Sequence, residues 1–208
     1  MPRVIGLTGK AGHGKDTVAD ELVSLGFTRV SFAAPLKDGV VALFGIDQNI
    51  LNDRVLKEKV IEEWGKSPRE LMQWLGTDIL RTTFEAAGIN FFVVHAMKKI
   101  KALIDLGLDV VITDCRFDDE AEMVNANGGE VWLIDASERL CDSVVLHGST
   151  AIHASERGVS KEHIFLTFDN NCSLEDLKRL IKVHHDISSR SVVRREFIVH
   201  SDSCEDSN

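Results

Sequence analysis

Five short apolar runs, at residues 4–7, 29–32, 109–114, 131–134 and 164–168, punctuate the chain, and stretches of helical period separate them. Runs so short and so evenly apolar read as strands buried on both faces. The helical stretches carry their own start signals. Pro35 sits early in a helix running to Phe44. Ser67, Pro68 and Glu70 form a capping pattern ahead of the apolar positions Leu71, Trp74, Leu75, Ile79 and Leu80. Asn90 caps a helix over 91–106, with Phe92, Val93, Ala96, Ile100 and Leu103 inward, and Gly107 ends it. A short helix over 119–126 is closed by Gly128 and Gly129, and Ser173 with Asp176 opens a last helix to about residue 188. Residues 45–52 read as a loop and 53–64 as a charged, loosely helical surface segment. Strands alternating with helices specify an α/β fold: a five-stranded parallel sheet covered by helices on both faces.

The first strand runs straight into Gly9-Lys-Ala-Gly-His-Gly-Lys-Asp-Thr17, and a helix follows over 17–25. Strand, glycine loop and helix start, in that order, are the context a phosphate-cradling loop requires. Glycines at 9, 12 and 14 let backbone amides turn inward around a polyphosphate, and the helix aims its positive end at the same anion. Lys15 adds a mobile point charge, while His13 contributes backbone. Where a hydroxyl residue usually follows the lysine, this chain has Asp16 and then Thr17. Asp16 reads either as an active-site carboxylate organising a metal or as a first-turn acid suited to the helix dipole.

Composition narrows the classes. A net charge of −9 over 208 residues argues against a broad basic grip on polymeric nucleic acid, yet leaves room for a small phosphorylated ligand. Hydrophobic content of 44% supports a substantial core, and 208 residues suit one domain over residues 1–200, alone or with a lid-like insertion at about 136–162. Residues 201–208 read as a disordered acidic tail, and 192–199 have mixed strand and helix character. No apolar run approaches membrane length. Cys115, Cys141, Cys172 and Cys204 are scattered, as free thiols of a reducing compartment would be, so a cytoplasmic enzyme is expected.

In a parallel sheet, ligands bind beyond the carboxyl ends of the strands. The glycine loop, residues 32–37 and residues 114–116 all fall there. Asp114 reads as a second metal-organising carboxylate or as a turn cap. Arg116 can grip a phosphate in two places, or pair with Asp118, Asp119 or Glu120. Arg69 is a cation beside a positive helix end, which a nearby anion or a salt bridge to Glu63 or Glu70 would explain. Lys37 is either solvated or a phosphate contact. Gly76 interrupts a helix at a cost of about 1 kcal/mol, which points to close approach of a substrate base or another helix. Trp74 reads as core. The stretch His153–Glu156, with Arg139 and Arg157 as candidate lid cations, occupies the irregular segment. No His and Cys cluster has metal-ligand spacing, and no nucleophile triad is visible.

The blocks Gly9–Thr17, Phe32–Lys37, Arg69–Asp78, Thr113–Arg116 and His153–Glu156, in this order, resemble the deoxynucleoside monophosphate kinases of tailed bacteriophages over about residues 4–185. That resemblance implies an adenylate kinase-like P-loop fold. It also implies transfer of the ATP γ-phosphoryl group, with Mg2+, to a deoxynucleoside monophosphate. ATP would lie on Gly12, His13, Gly14, Lys15, Asp16 and Thr17, with Lys15, Asp16 and Arg116 catalytic and Asp16, Thr17 and Asp114 near the metal. The acceptor would meet Lys37, Arg69, Gly76, Thr77, Phe92, Asp114, Arg116 and Glu156. Phe92 stands where the family can carry a tryptophan, so a ring for base stacking is kept. Expected partners are ATP and the monophosphate, with no polymeric nucleic acid and no membrane; a homodimer is left open. The rivals are a phosphomevalonate-type kinase, which shares a GKD loop, and a nucleotide-binding regulatory switch, for which no NKxD motif is found.

Overall fold

The computed structural model describes residues 2–53, 55–140 and 158–190. The chain opens with β1 (Val4–Thr8), α1 (Lys15–Ser24), β2 (Thr28–Val30), α2 (Ala34–Phe44) and α3 (Gln48–Asn52). A 3-10 turn at Leu56–Glu58 leads to α4 (Pro68–Gln73), a π-helical stretch at Trp74–Arg81, α5 (Thr82–Ala86) and α6 (Phe91–Asp105). Then come β3 (Val110–Ile112), α7 (Asp118–Ala126), β4 (Glu130–Asp135), α8 (Ser137–Leu140), a 3-10 turn at Lys161–His163, β5 (Leu166–Asp169) and α9 (Leu174–Arg190). The sheet runs β2-β3-β1-β4-β5, all parallel. Because the chain goes from β1 to one side of the sheet and from its neighbour β3 across to the other, the loop after β1 sits where the strand order reverses, the usual crevice for a ligand.

Period-two alternation along the strands feeds two apolar layers. Ile5, Leu7, Val111, Trp132 and Ile134 face α1 and α9, meeting Val18, Leu22, Leu177 and Ile181. Val4, Val110, Ile112 and Val131 face the other way, onto Val40 of α2, Phe92 and Ile100 of α6, and Val124 of α7. Each such side chain, when fully buried, contributes about 1.5–3 kcal/mol relative to exposure. These two layers fix the sheet on both faces and leave its carboxyl edge open for chemistry.

Some expectations need correcting. Residues 45–52 are not all loop: Asp47 accepts from the Asn49 amide at 2.8 Å and starts α3. Residues 53–64 are mostly turns, pinned where Asp53 accepts from the amides of Val55 and Leu56 at 2.8 Å each. The capping box at Ser67 forms, with Glu70 accepting from the Ser67 amide at 2.7 Å. Beyond it, however, the winding widens. Leu71, Gly76 and Arg81 are the buried positions, five residues apart, as the i→i+5 bonding of a π-helix dictates. An ordinary helical period placed Trp74 and Ile79 inward; they are 40% and 39% exposed. Asn90 caps α6 by accepting from the Val93 amide at 3.2 Å, and Phe92, Ala96 and Ile100 are buried. Ser173 accepts from the Asp176 amide at 3.1 Å at the head of α9. None of the described helices is long and apolar enough to cross a membrane.

Two glycines give opposite expectations. A Cβ at Gly129, between α7 and β4, would lie 2.7 Å from the Val4 carbonyl oxygen and 2.9 Å from that of Val124. A Cβ at Gly39 in α2 meets nothing within 4 Å. Gly129→Ala therefore lowers stability by about 3 kcal/mol, whereas Gly39→Ala raises it by about 1 kcal/mol. Urea unfolding of both variants checks the pair; equal effects would contradict this packing of α7.

Candidate active site

The loop after β1 closes at two points where only glycine fits. Gly9 has φ 134° and a Cβ there would fall 2.4 Å from the Ile134 carbonyl oxygen. Gly14 has φ 92°, and its Cβ would meet Asn170 Nδ2 at 2.3 Å. Gly14 is also the N-cap of α1, so the first-turn amides that follow lack intrahelical acceptors and face the loop's mouth as anion donors. Inside, Lys15 Nζ donates to the carbonyls of Gly9 at 2.6 Å and Lys10 at 2.9 Å. Asp16 is exposed and Thr17 half-buried in the same turn.

Side chains clasp this loop from outside. Asn170, buried just beyond β5, donates to the His13 carbonyl oxygen at 2.8 Å. His13 Nδ1 accepts from the Ala136 amide at 3.0 Å, just beyond β4. That leaves the ring proton on Nε2, and burial lowers the His13 pKa further. Asp135 Oδ1 lies 3.4 Å from the same nitrogen but accepts instead from the Ser137 amide at 3.0 Å and from its hydroxyl. His13 thus contributes its ring as well as its backbone, beyond the sequence expectation.

Two cations share the pocket. The Lys15 pKa is lowered to about 8 by burial first and then by the Arg116 guanidinium, against the opposing pull of Asp16 and Asp114. Arg116 is exposed just past β3, and among the described residues no carboxylate pairs with its guanidinium. The three acids weighed as its partners are engaged elsewhere. Asp118 accepts from the amide and hydroxyl of Ser160, both at 2.7 Å. Asp119 accepts from Arg81 and Asn90. Glu120 accepts from Arg81 at 2.8 Å and, through its other oxygen, from the Arg116 and Phe117 amides at 2.8 and 3.3 Å.

Asp114 takes the turn-capping role. Its carboxylate accepts from the Phe32 amide at 2.8 Å, the Ser31 hydroxyl at 2.7 Å and the Ala33 amide at 2.9 Å, fixing the turn between β2 and α2. Lys37, on α2, donates to Asn52 at 3.0 Å. Arg69 pairs with Glu58 at 2.8 Å, neither Glu63 nor Glu70 being its partner in that bridge. At Gly76 a Cβ would fall 2.5 Å from Leu36 Cδ2, so the close approach of α2, the second of the two alternatives, is present. The Thr77 carbonyl accepts from the Thr82 hydroxyl at 3.1 Å within the π-helical stretch. Phe92 is 6% exposed, edge-on to Phe91 and packed in the core, so its ring is not open for stacking on a base. Arg139 lies on α8, where its amide donates to Asn171 at 3.1 Å. Glu156, His153, Arg157, Cys141, Cys204 and residues 192–208 lie outside the described residues; Cys115 and Cys172 are free thiols.

The sequence reading missed Arg81 and Asn170, and weighed Glu120 only as an ion-pair partner of Arg116. Glu120 sits in a run of three acids, and Phe117 three residues before it has no side-chain oxygen to complete a capping pattern, so nothing local marks its role. Arg81 was hidden by the wide winding. Among the described residues no group of three His, Cys, Asp or Glu could hold a metal on its own. A magnesium ion carried by a nucleotide needs only one or two carboxylates, so Asp16 and Thr17 fit as partners for one.

The family profile described as deoxynucleotide monophosphate kinase matches residues 41–181, a span that holds Arg69, Asp114 and Arg116 and begins after the glycine loop. A protein of Acanthamoeba polyphaga mimivirus named "Putative deoxynucleotide monophosphate kinase" is 37% identical over 141 residues, which is 64% of this chain and 73% of that one. Among solved structures, dephospho-CoA kinase from Campylobacter jejuni superposes with a TM-score of 0.51 at 15% identity, over 91% of this chain and 98% of that one, a likeness of fold.

The Lys15 and Arg116 repulsion is directly testable. Arg116→Ala should move the Lys15 ammonium titration upward from about 8 toward the ordinary lysine value of 10.5. Titration of 15N-labelled lysine side chains by NMR reads this; an unmoved or lowered value would contradict the arrangement.

Proposed function

Because the chain belongs to the deoxynucleotide monophosphate kinase family, we propose that it transfers the γ-phosphoryl group of ATP to a deoxynucleoside monophosphate. An oxygen of the acceptor phosphate would attack the γ-phosphorus while the bond to the β–γ bridging oxygen breaks. The products are ADP and the deoxynucleoside diphosphate. The observation that carries this reading is the placing of Lys15 and Arg116 together at the carboxyl edge of the sheet, like charges that a polyphosphate would relieve. The α1 amides and Lys15 hold the donor phosphates; Arg116 lies between the transferred group and the acceptor phosphate, which it also grips.

Arg69 and Lys37 stand on the wall formed by α2 and α4, suited to the acceptor phosphate once they exchange Glu58 and Asn52 for it. An arginine held by a carboxylate rather than left bare stays ordered until an anion competes for it. Mg2+, held with the nucleotide by Asp16 and Thr17, would supply neutralisation of charge on the phosphates; Asp114 stays with its turn. Catalysis is alignment and charge neutralisation, since phosphoryl transfer asks little covalent help from the protein.

The test is ADP release across a panel of deoxynucleoside and ribonucleoside monophosphates. Release should depend on a deoxynucleoside monophosphate, fall by about 10²–10³-fold in Lys15→Ala or Arg116→Ala, and show a raised acceptor KM in Arg69→Ala. ATP hydrolysis indifferent to every monophosphate would replace this reading with a regulatory switch.

A further inference from the structure

We propose that Glu120, locked by Arg81, is the positioning residue that sets Arg116 against the acceptor phosphate; the inference rests on the kinase reading above. Glu120 is 3% exposed and Arg81 7%. One oxygen of Glu120 accepts from the amides of Arg116 and Phe117, and the other accepts from Arg81 Nη2 at 2.8 Å. Every contact has the carboxylate as acceptor, so the pair requires an ionised Glu120. Burial first, with the Asp114 and Asp119 carboxylates, works against that and pushes its pKa up to about 8, while the Arg116 amide and the Arg81 guanidinium pull it down. With three N–H groups aimed at the two oxygens, the ionised form is the one this geometry holds.

Arg81 is itself immobilised. Its guanidinium lies 3.7 Å from the centre of the Phe117 ring and 5.6 Å from that of Phe92. Its other terminal nitrogen, Nη1, donates to Asp119, which also accepts from Asn90, and reaches Glu85 at 3.4 Å. Arg81 ends the π-helical stretch that continues from α4, the helix that carries Arg69. One buried side chain therefore ties the helix bearing Arg69 to the turn bearing Arg116. The two guanidiniums assigned to the acceptor are spaced by this strut.

A plain helix cap does not account for the arrangement. An exposed Glu or Ser would satisfy the first-turn amides of α7. A buried ion pair is a poor source of stability, and apolar residues of similar volume often replace one without loss. What it provides is fixed direction. The turn it holds carries Arg116, whose guanidinium is otherwise unpaired among the described residues.

Steady-state kinetics with ATP and the best deoxynucleoside monophosphate tests this in the full chain. Glu120→Gln, which cannot accept from all three donors, and the paired apolar variant Arg81→Met/Glu120→Leu should each raise the acceptor KM about tenfold or more, with the ATP KM within about twofold of wild type. In an Arg116→Ala background, Glu120→Gln should add no further loss, because its effect passes through Arg116. An unchanged acceptor KM, a parallel rise in both KM values, or a full additional loss in the Arg116→Ala background would each overturn the inference while wild-type transfer stands. No transfer by the wild type to any monophosphate would instead overturn the kinase reading, and this inference with it.

Discussion

Lys15 and Arg116 repel one another across the carboxyl edge of the sheet, and much of the local structure exists to hold them there. Strand order brings them together: β1 and β3 are neighbours, so the loop leaving one faces the turn leaving the other. Backbone carbonyls of Gly9 and Lys10 solvate the lysine, and Glu120 anchors the backbone of the arginine without neutralising its guanidinium. Asp16 and Asp114 pull the other way, but burial first and then Arg116 still lower the Lys15 pKa to about 8. A folded protein tolerates such a pair where a ligand of opposite charge is to arrive.

Rigidity around the site comes from side chains at strand ends. His13 and Asn170 clasp the glycine loop to the ends of β4 and β5. Asp114 staples the turn entering α2, and Glu120 the turn entering α7. His13, Asn170 and Asp114 reach backbone of a neighbouring connection, while Glu120 holds the amides of its own turn and meets the Arg81 side chain across the fold. The apolar layers on the sheet's two faces thus set the frame, and these four residues translate it into loop geometry.

How far the sequence reveals this depends on whether a residue acts locally. The strands, the capping box at Ser67 and the helix begun by Asn90 follow from neighbours a few positions away, and all are present. The glycine loop is equally local, because its conformation is written in the glycines themselves. The π-helical stretch is different: its five-residue spacing is stabilised by tertiary contacts of Leu71, Gly76 and Arg81, which an ordinary helical period cannot anticipate. That is why the ordinary period places Trp74 inside, leaves a base or a helix as alternatives at Gly76, and passes over Arg81. Glu120 and Asn170 are long-range in the same sense. The Arg81 partner of Glu120 and the His13 partner of Asn170 lie across the fold, and nothing near either residue in the chain announces that tie.

The central claim, that a phosphate-bearing nucleotide settles the charge of Lys15, is open to calorimetry. ATP binding should restore an ordinary lysine pKa and therefore draw protons from solution at pH 8.5, where the ligand-free ammonium is largely titrated. Titration in two buffers of different ionisation enthalpy counts those protons. The account predicts uptake of a large fraction of one proton by the wild type and none by Lys15→Met; binding with no proton uptake in the wild type would contradict it.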